Sequence, residues 1–543
     1  MSILNNAFIQ RSIRILKKYY TFVGPGLVVS VSYMDPGNYS TSVSSGAMYQ
    51  YKLCFIIFMS NLFAVILQAL CVKLGTVTGL DLAEMCRAHL PFHLNLMLYI
   101  CAELAIIATD LAEVVGTAIA LEILFGIPLI YGVLITVLDV LIILMAYKKD
   151  GSMKQTKFFE NMVAVLVFGT CICFILELFK CHFEKGAVIE IIKGFLPINR
   201  EIFKEPTALF LSCGIVGSTV MPHSLFLGSA LVQARLKDYD IKHGIVDEHV
   251  QDEDEEDENE NEPTIINDDN ISINSDEDIN NNHDTEVLTY TLQKIKSISD
   301  GSKLLNKYRP SYAAIKYCLN YSYAELVISL FLIAVFVNSS ILIVAGTTLF
   351  GKPDAADADL LSIYEMLSYY ISPVAGLLFA LSMLFSGQSA GIVCTMAGQI
   401  ISEGFINWAL KPWIRRVVTR TLAIVPVIIV ISVLGREGVS KIMNSSQVVL
   451  SFILPIVSAP LIWFTCSKKY MTVYDASELV SNNDETTLLL NSSGQTPIDQ
   501  GLTVKKVTFE NGLFLRIASI LTWLIITFLN IYLIIAFAKG ADI

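Results

Sequence analysis

Apolar stretches of about 20 residues, long enough to cross a bilayer as helices, recur along the whole chain. About eleven can be read, centred near residues 35, 64, 108, 136, 168, 220, 332, 382, 424, 456 and 524. The pattern predicts an all-α polytopic membrane protein built as one integral unit. Its expected divisions are a cytoplasmic N-terminus over 1–20, five spans and a broken sixth over 21–235, and an acidic disordered cytoplasmic loop over 236–310. Spans seven to ten follow over 311–466, a second cytoplasmic loop over 467–510, and an eleventh span with a short tail over 511–543.

Two of these stretches are interrupted at matching places, five spans apart. The first reads Ser32-Tyr33-Met34-Asp35-Pro36-Gly37-Asn38, the second Gly217-Ser218-Thr219-Val220-Met221-Pro222-His223-Ser224. Proline has no N–H and clashes with the preceding turn, so each helix must open there. Open backbone at membrane depth survives only where protein or a water-lined cavity satisfies it. A carboxylate at that depth costs a few kcal/mol or more, which marks Asp35 as functional. Paired interruptions in two halves of a chain point to a transporter's binding site.

The composition agrees: 54% of the residues are hydrophobic and 16% charged, too apolar for a soluble fold of this size. No short apolar leader with a small-residue cleavage site opens the sequence, so no cleavable signal peptide is expected. Arg11, Arg14, Lys17 and Lys18 precede the first span and should hold that end in the cytoplasm. Lys148, Lys149, Lys154 and Lys157 after span four, Lys411, Arg415 and Arg416 before span nine, and Lys468 and Lys469 after span ten then fall on the same side. The net charge of −12 misleads as an average. Asp247 to Glu286 alone holds 18 acidic residues, without which the chain would be at +6. The eleven cysteines show no zinc spacing and mostly lie in or beside spans, so neither a zinc site nor a disulfide framework is expected.

Asp35 offers a hard anionic oxygen, Asn38 an amide oxygen and Met221 a soft thioether, and unwinding frees backbone carbonyls at Ser32 and Ser218. Oxygen ligands alone would suit magnesium or calcium, whereas a thioether favours softer divalent ions. A lone Met in an apolar span is ordinarily core filling. It is the pairing of Asp-Pro-Gly-Asn with Met-Pro-His that makes the set specific.

Met34-Asp35-Pro36-Gly37-Asn38 and Val220-Met221-Pro222-His223-Ser224 resemble the two signatures of the Nramp family, proton-coupled divalent-metal transporters of the LeuT-type fold. Similar stretches are Thr78-Gly79-Leu80-Asp81-Leu82-Ala83-Glu84, Thr109-Asp110-Leu111-Ala112-Glu113-Val114-Val115-Gly116 and Ser386-Gly387-Gln388-Ser389. The resemblance implies two inverted five-helix repeats plus an eleventh transmembrane helix, with helices 1 and 6 broken. It implies metal ligands Asp35, Asn38, Met221 and the Ser218 carbonyl, with Gln447 as a ligand in some states. Family members often carry Asn and Ala where this chain has Ser224 and Ser218.

Span three carries Glu103, Asp110 and Glu113 on one stripe, since at about 100° per residue the first two lie about 20° apart and the third within about 60° of Asp110. Buried carboxylates exchange protons near neutral pH. Arg235, downstream of His223 on span six, can pair with one of them, and Arg416 opens span nine beside Arg415 and Arg420. Two readings stay open: a proton route, or ion pairs that lock helices together. The resemblance implies the proton route for Asp110, Glu113, His223 and Arg235.

The function expected is a symporter moving iron or manganese (Fe2+ or Mn2+) with protons toward the cytosol. The alternatives are a metal sensor that does not transport, and an amino-acid symporter of the same fold. No Ser/His/Asp set, phosphate loop or HExxH suggests an enzyme, and no cofactor or nucleic-acid partner is expected. The partners are the bilayer, the metal and protons. The oligomeric state is not encoded in any readable pattern. Finally, Glu485 stands four positions before Leu489-Leu490 in a polar stretch. That spacing looks like a dileucine sorting signal for an adaptor, and suggests a vacuole or other acidic endomembrane, with the plasma membrane as alternative.

Overall fold

Proline starts the helices that matter. Pro25, Pro36, Pro206 and Pro222 each occupy an opening position of a helix, where the missing N–H would be unpaired anyway. The computed structural model describes residues 24–136, 153–197, 205–246, 308–352, 360–406, 412–434, 437–475 and 505–539. The first span is two helices, α1 (Pro25–Val31) and α2 (Pro36–Tyr49). It is followed by α3 (Cys54–Thr78), the short α4 (Leu82–His89) and α5 (Phe92–Phe125). The fourth expected span is described only over its helical residues 129–136. Next come α6 (Met153–Lys180) and α7 (Ala187–Gly194), then the sixth span as α8 (Pro206–Thr219), α9 (Pro222–Leu231) and α10 (Gln233–Lys242). The seventh span is α11 (Tyr312–Ser329) and α12 (Val335–Thr348), joined by a π turn at Leu330–Ala334. Then α13 (Leu360–Tyr370), α14 (Pro373–Ile406), α15 (Pro412–Leu434), α16 (Glu437–Cys466) and α17 (Leu513–Ala538) complete the bundle.

Every one of the eleven expected spans is therefore helical over its described residues, and both expected breaks are present. Among the described residues, eight helical stretches are long and apolar enough to cross a membrane, the broken sixth span counted as one; the other spans are the split first, the partly described fourth and α15. The chain is an all-α polytopic membrane protein of the LeuT type. Three features differ from the sequence reading. Helix α10 carries span six to Lys242, past residue 235, where the loop was expected to start. Helix α13 stands between spans seven and eight and packs on α14. The loop after span ten holds a two-stranded antiparallel hairpin, β1 (Thr472–Asp475) and β2 (Lys505–Thr508), with Thr472 opposite Thr508. Glu485, Leu489 and Leu490 lie outside the described residues.

One apolar core runs through the bundle around the two broken spans. Helix α2 packs along α12, α8 along α16, and α14 against both α5 and α6. The last helix is fastened by side chains: Asn530 Nδ2 donates to the Ser451 carbonyl (2.6 Å), Ser451 Oγ to Asn530 Oδ1 (2.7 Å), and Trp523 Nε1 to the Pro455 carbonyl (2.8 Å). All eleven cysteines are free, as expected of small apolar residues in spans.

Candidate metal site and charged pathway

At the first break Asp35 caps α2: its Oδ1 accepts from the backbone N–H (3.0 Å) and the side-chain Nδ2 (2.7 Å) of Asn38. The same Asn38 Nδ2 donates to the Ser218 carbonyl at 2.8 Å. One amide thus ties the first break to the second and holds two oxygens, one anionic, within bonding reach of a single atom. Two further carbonyls at the first break are taken up by neighbouring spans. Tyr33 O accepts from Asn338 Nδ2 at 2.8 Å, and Met34 O accepts from Ser386 Oγ. Ser32 ends α1, and its hydroxyl is buried without a hydrogen-bond partner among the described residues.

At the second break Val220 leaves the helical region and Met221 caps α9, three residues after Ser218 and fully buried. Ser224 donates to the Met221 carbonyl at 2.7 Å, and Gln68 Nε2 bonds both the Ser224 hydroxyl (2.9 Å) and the Tyr33 hydroxyl (3.0 Å). Serine at position 224 therefore stitches the two breaks to α3. The Ser218 hydroxyl turns away from Asn38, toward Ile215 O (3.2 Å) and Thr41 Oγ1 (3.3 Å), so only its carbonyl faces the break.

Gln447 enters from α16. Its amide lies where a Cβ on Gly37 would have to go, and its backbone carbonyl where one on Gly217 would. Both glycines are needed for this approach, which brings span ten against both broken spans. Asp35 Oδ2 and Gln447 Oε1 are buried with no hydrogen-bond donor among the described residues. Leaving such acceptors unpaired costs about 1–3 kcal/mol each, more for an ionised group. A divalent cation would satisfy them. Carboxylate, amide, backbone carbonyl and thioether make a mixed hard and soft donor set suited to first-row divalent ions.

The acidic stripe resolves into a buried ion pair. Asp110 and Glu113 are fully buried on α5, and Arg420 of α15 contacts Asp110 directly and Glu113 Oε2 at 3.8 Å. Arg420 also donates to the Thr136 carbonyl at 3.3 Å. Ligand atoms of Asp110, Glu113 and Cys394 lie within 4.8 Å of one another. The guanidinium beside these carboxylates already supplies the positive charge a cation would bring. His223, buried one position after Pro222, has its Nδ1 3.4 Å from Thr109 Oγ1, on the residue next to Asp110. Glu103 shares the face but is half-buried and outside the close cluster.

One expected partner is corrected. Arg235 does not serve the stripe of span three; it makes a bidentate pair with Glu160 of α6 at 3.0 and 3.1 Å, both side chains buried. The arginine on Asp110 is Arg420, one turn beyond Arg416, whose side chain lies outside the described part. Glu160 and Glu325 were not singled out in the sequence. Glu325 accepts from the backbone N–H of Gly24 (3.0 Å) and of Gly26 (2.9 and 2.8 Å), which pins the start of α1 to α11. Their signal was only that they are acids inside or beside apolar helices.

The model of the family described as "Natural resistance-associated macrophage protein-like" (Nramp) matches residues 26–261 and 297–482. The chain belongs to the Nramp family. It is 53% identical to the iron transporter SMF3 of Saccharomyces cerevisiae, over 98% of each chain. It is 46% identical to the manganese transporter SMF1 of the same yeast, over 96% of this chain and 86% of that one. Among solved structures, the Eremococcus coleocola manganese transporter superposes with a TM-score of 0.67 at 27% identity, covering 97% of this chain and 90% of its own.

Proposed function

We propose that this chain is a symporter that carries a divalent transition metal, iron or manganese, together with protons toward the cytosol. One observation carries the reading: at the meeting of two broken helices, a carboxylate oxygen of Asp35 and an amide oxygen of Gln447 are buried with no hydrogen-bond donor among the described residues. The metal is the substrate that would take them up. Asp35, Asn38, the carbonyls of Ser32 and Ser218, and Met221 supply the other donors, with Gln447 joining when α16 stands where it does in this structure. Asn38 must release Asp35 and the Ser218 carbonyl as the metal arrives, which makes its amide the element that senses occupancy. The names of relatives support both iron and manganese. The donor set suits either ion.

Proton movement is assigned to Asp110 and Glu113 with His223, and Arg420 sets their charge. Arg235 with Glu160 is assigned to closure of the cytosolic side, where the charge pattern of the loops places the start of α1. On the same grounds the acidic segment 236–310 and the loop 467–510 face the cytosol. Address remains with the dileucine-like Glu485, Leu489 and Leu490: an adaptor would take the protein to an acidic endomembrane such as a vacuole, whose proton gradient would drive stored metal out.

The test is uptake by proteoliposomes holding the purified full chain. Iron and manganese uptake should accelerate when the outer solution is made acidic, and protons should enter with the metal. Metal bound but never released inside would favour a sensor. Competition by amino acids rather than metals would favour the amino-acid symporter, a poor match since Asp35 would face the substrate's carboxylate. Uptake indifferent to the pH gradient would remove the protons from the proposal.

A further inference from the structure

One buried acid has no part in any of this. Glu177 lies one turn before the end of α6 and is fully buried. Neither of its carboxyl oxygens has a hydrogen-bond partner among the described residues. It opens into a small cavity whose other lining is apolar, including Val43 of α2, Ile341 and Val344 of α12, Ile363 and Leu367 of α13, and Phe379 of α14. The titratable groups near it are Tyr39 of α2 and, along its own chain segment, Cys173 and Cys181. Tyr39 is held against Phe174 and Phe379, with ring centroids 5.5 and 5.9 Å away. The lining from α12, α13 and α14 is apolar. None of these groups carries positive charge.

The position matters as much as the burial. Asp35 caps the start of α2, and Val43, two turns along that helix, lines the cavity. Asp35 is itself fully buried, so the metal site is closed at this end. The cavity that holds Glu177 lies against α2 on the side of α12 and α13, two turns along from Asp35. An ionised carboxyl with no donor and no cation in such a place costs many kcal/mol, and the group neutralises instead. A divalent cation would need several donors, and the cavity offers one. The ligand that fits is a proton.

We propose that Glu177 is a proton-binding site that takes up one proton from the outer solution when this end of the bundle closes, and returns it when this end opens. The step is a simple association: a carboxylate oxygen gains the proton that water gives up. It rests on the symport reading for its setting and deepens it by separating two kinds of proton. Those at Asp110 and Glu113 cross with the metal, whereas that at Glu177 comes from and goes back to one side. It makes closure pH-dependent without changing the number of protons moved per metal.

Glu177→Gln, which imitates the protonated acid, tests this in full-length protein. In proteoliposomes the variant should lose the part of the outer-pH dependence that closure contributes, up to about tenfold per pH unit for one linked proton. The protons moved per metal should stay the same, and Glu177→Asp should keep a parent-like pH profile. Infrared spectra of the purified parent near about pH 7, where ordinary carboxyls are ionised, should show a neutral-carboxyl C=O band that Glu177→Gln lacks. An unchanged band, or a Glu177→Gln pH profile equal to the parent's, overturns the proposal. A parent whose uptake ignores outer pH removes the symport reading, and the band alone then decides on the proton site: lost in Glu177→Gln it stands, kept it falls.

Discussion

Replacing Arg420 by Leu takes the cation away from Asp110 and Glu113 and leaves two carboxyls buried without it. Removing one partner of a buried pair costs about 3–5 kcal/mol. The protein has one escape, which is to bind a proton on Asp110. That costs about 1.4 kcal/mol for each pH unit above the carboxyl's ordinary value near 4, so the penalty is capped near 5–6 kcal/mol at about pH 8 and near 2 kcal/mol at about pH 5.5. Where protonation costs less than the stranded charge, toward lower pH, the native variant holds a proton that the unfolded chain does not, so its stability falls as pH rises there. Thermal unfolding of purified protein in detergent should place the Arg420→Leu midpoint several degrees below the parent at the higher pH, with a clearly smaller gap at the lower. Adding Asp110→Asn should recover part of the loss, because the carboxylate in direct contact with Arg420 goes with its partner; the double-mutant cycle isolates that coupling. An Arg420→Leu protein as stable as the parent at about pH 8, or a double variant no better than the single, would refute the assignment of Arg420 as the counter-charge.

Three further outcomes follow from the site. Asp35→Ala should abolish divalent-metal uptake, because the sole anionic group at the two breaks is lost; measurable saturable uptake in that variant would contradict it. Met221→Ala should keep some transport of manganese and iron while admitting calcium, read as calcium competition in the uptake assay; calcium still excluded as in the parent would remove the thioether from selectivity. Asp110→Asn should flatten the dependence of uptake on outer pH and leave metal affinity by calorimetry within about threefold, a change of about 0.7 kcal/mol; equal loss of both would place Asp110 in the metal site.

The breaks were legible because their cause is local: a proline inside an apolar run opens the helix wherever the rest of the protein lies. The meeting of Asp35, Asn38 and Ser218 followed from the pairing of two such breaks. What failed was the choice among partners across helices. Arg416 and Arg420 are four residues apart and share a face of α15, so periodicity alone cannot rank them; the depth at which α15 crosses α5 decides, and that depends on the whole bundle. Arg235 was referred to span three for its acids, yet Glu160 on α6 is the acid it reaches, because α9 and α10 continue the second half of span six toward the start of α1. The hairpin of β1 and β2 escaped for a related reason. Two four-residue strands separated by a long polar stretch carry no period-2 signal of their own, and they pair where α16 and α17 bring their ends together.

The two ends of the pathway are closed by different physics, and this bears on what opens each. Toward the start of α1, closure rests on charge and hydrogen bonds. Glu325 holds the N–H groups of Gly24 and Gly26, Arg235 holds Glu160, and Gln68 joins Tyr33 to Ser224. Such contacts are directional and fail together when α1 swings, since each needs its partner within about 3 Å. Toward the end of α6, closure is apolar packing of α2, α12, α13 and α14, with Glu177 as the one acid inside. Apolar packing has no intrinsic pH dependence. Sensitivity of that end to protons must therefore come from the buried acid, and sensitivity of the opposite end from its charge pairs. The proposed metal site at Asp35 sits between them. A metal that drew Asn38 off the Ser218 carbonyl would loosen the tie between the two breaks, so in the proposed mechanism occupancy of the site reaches both ends through this shared amide rather than through either gate alone.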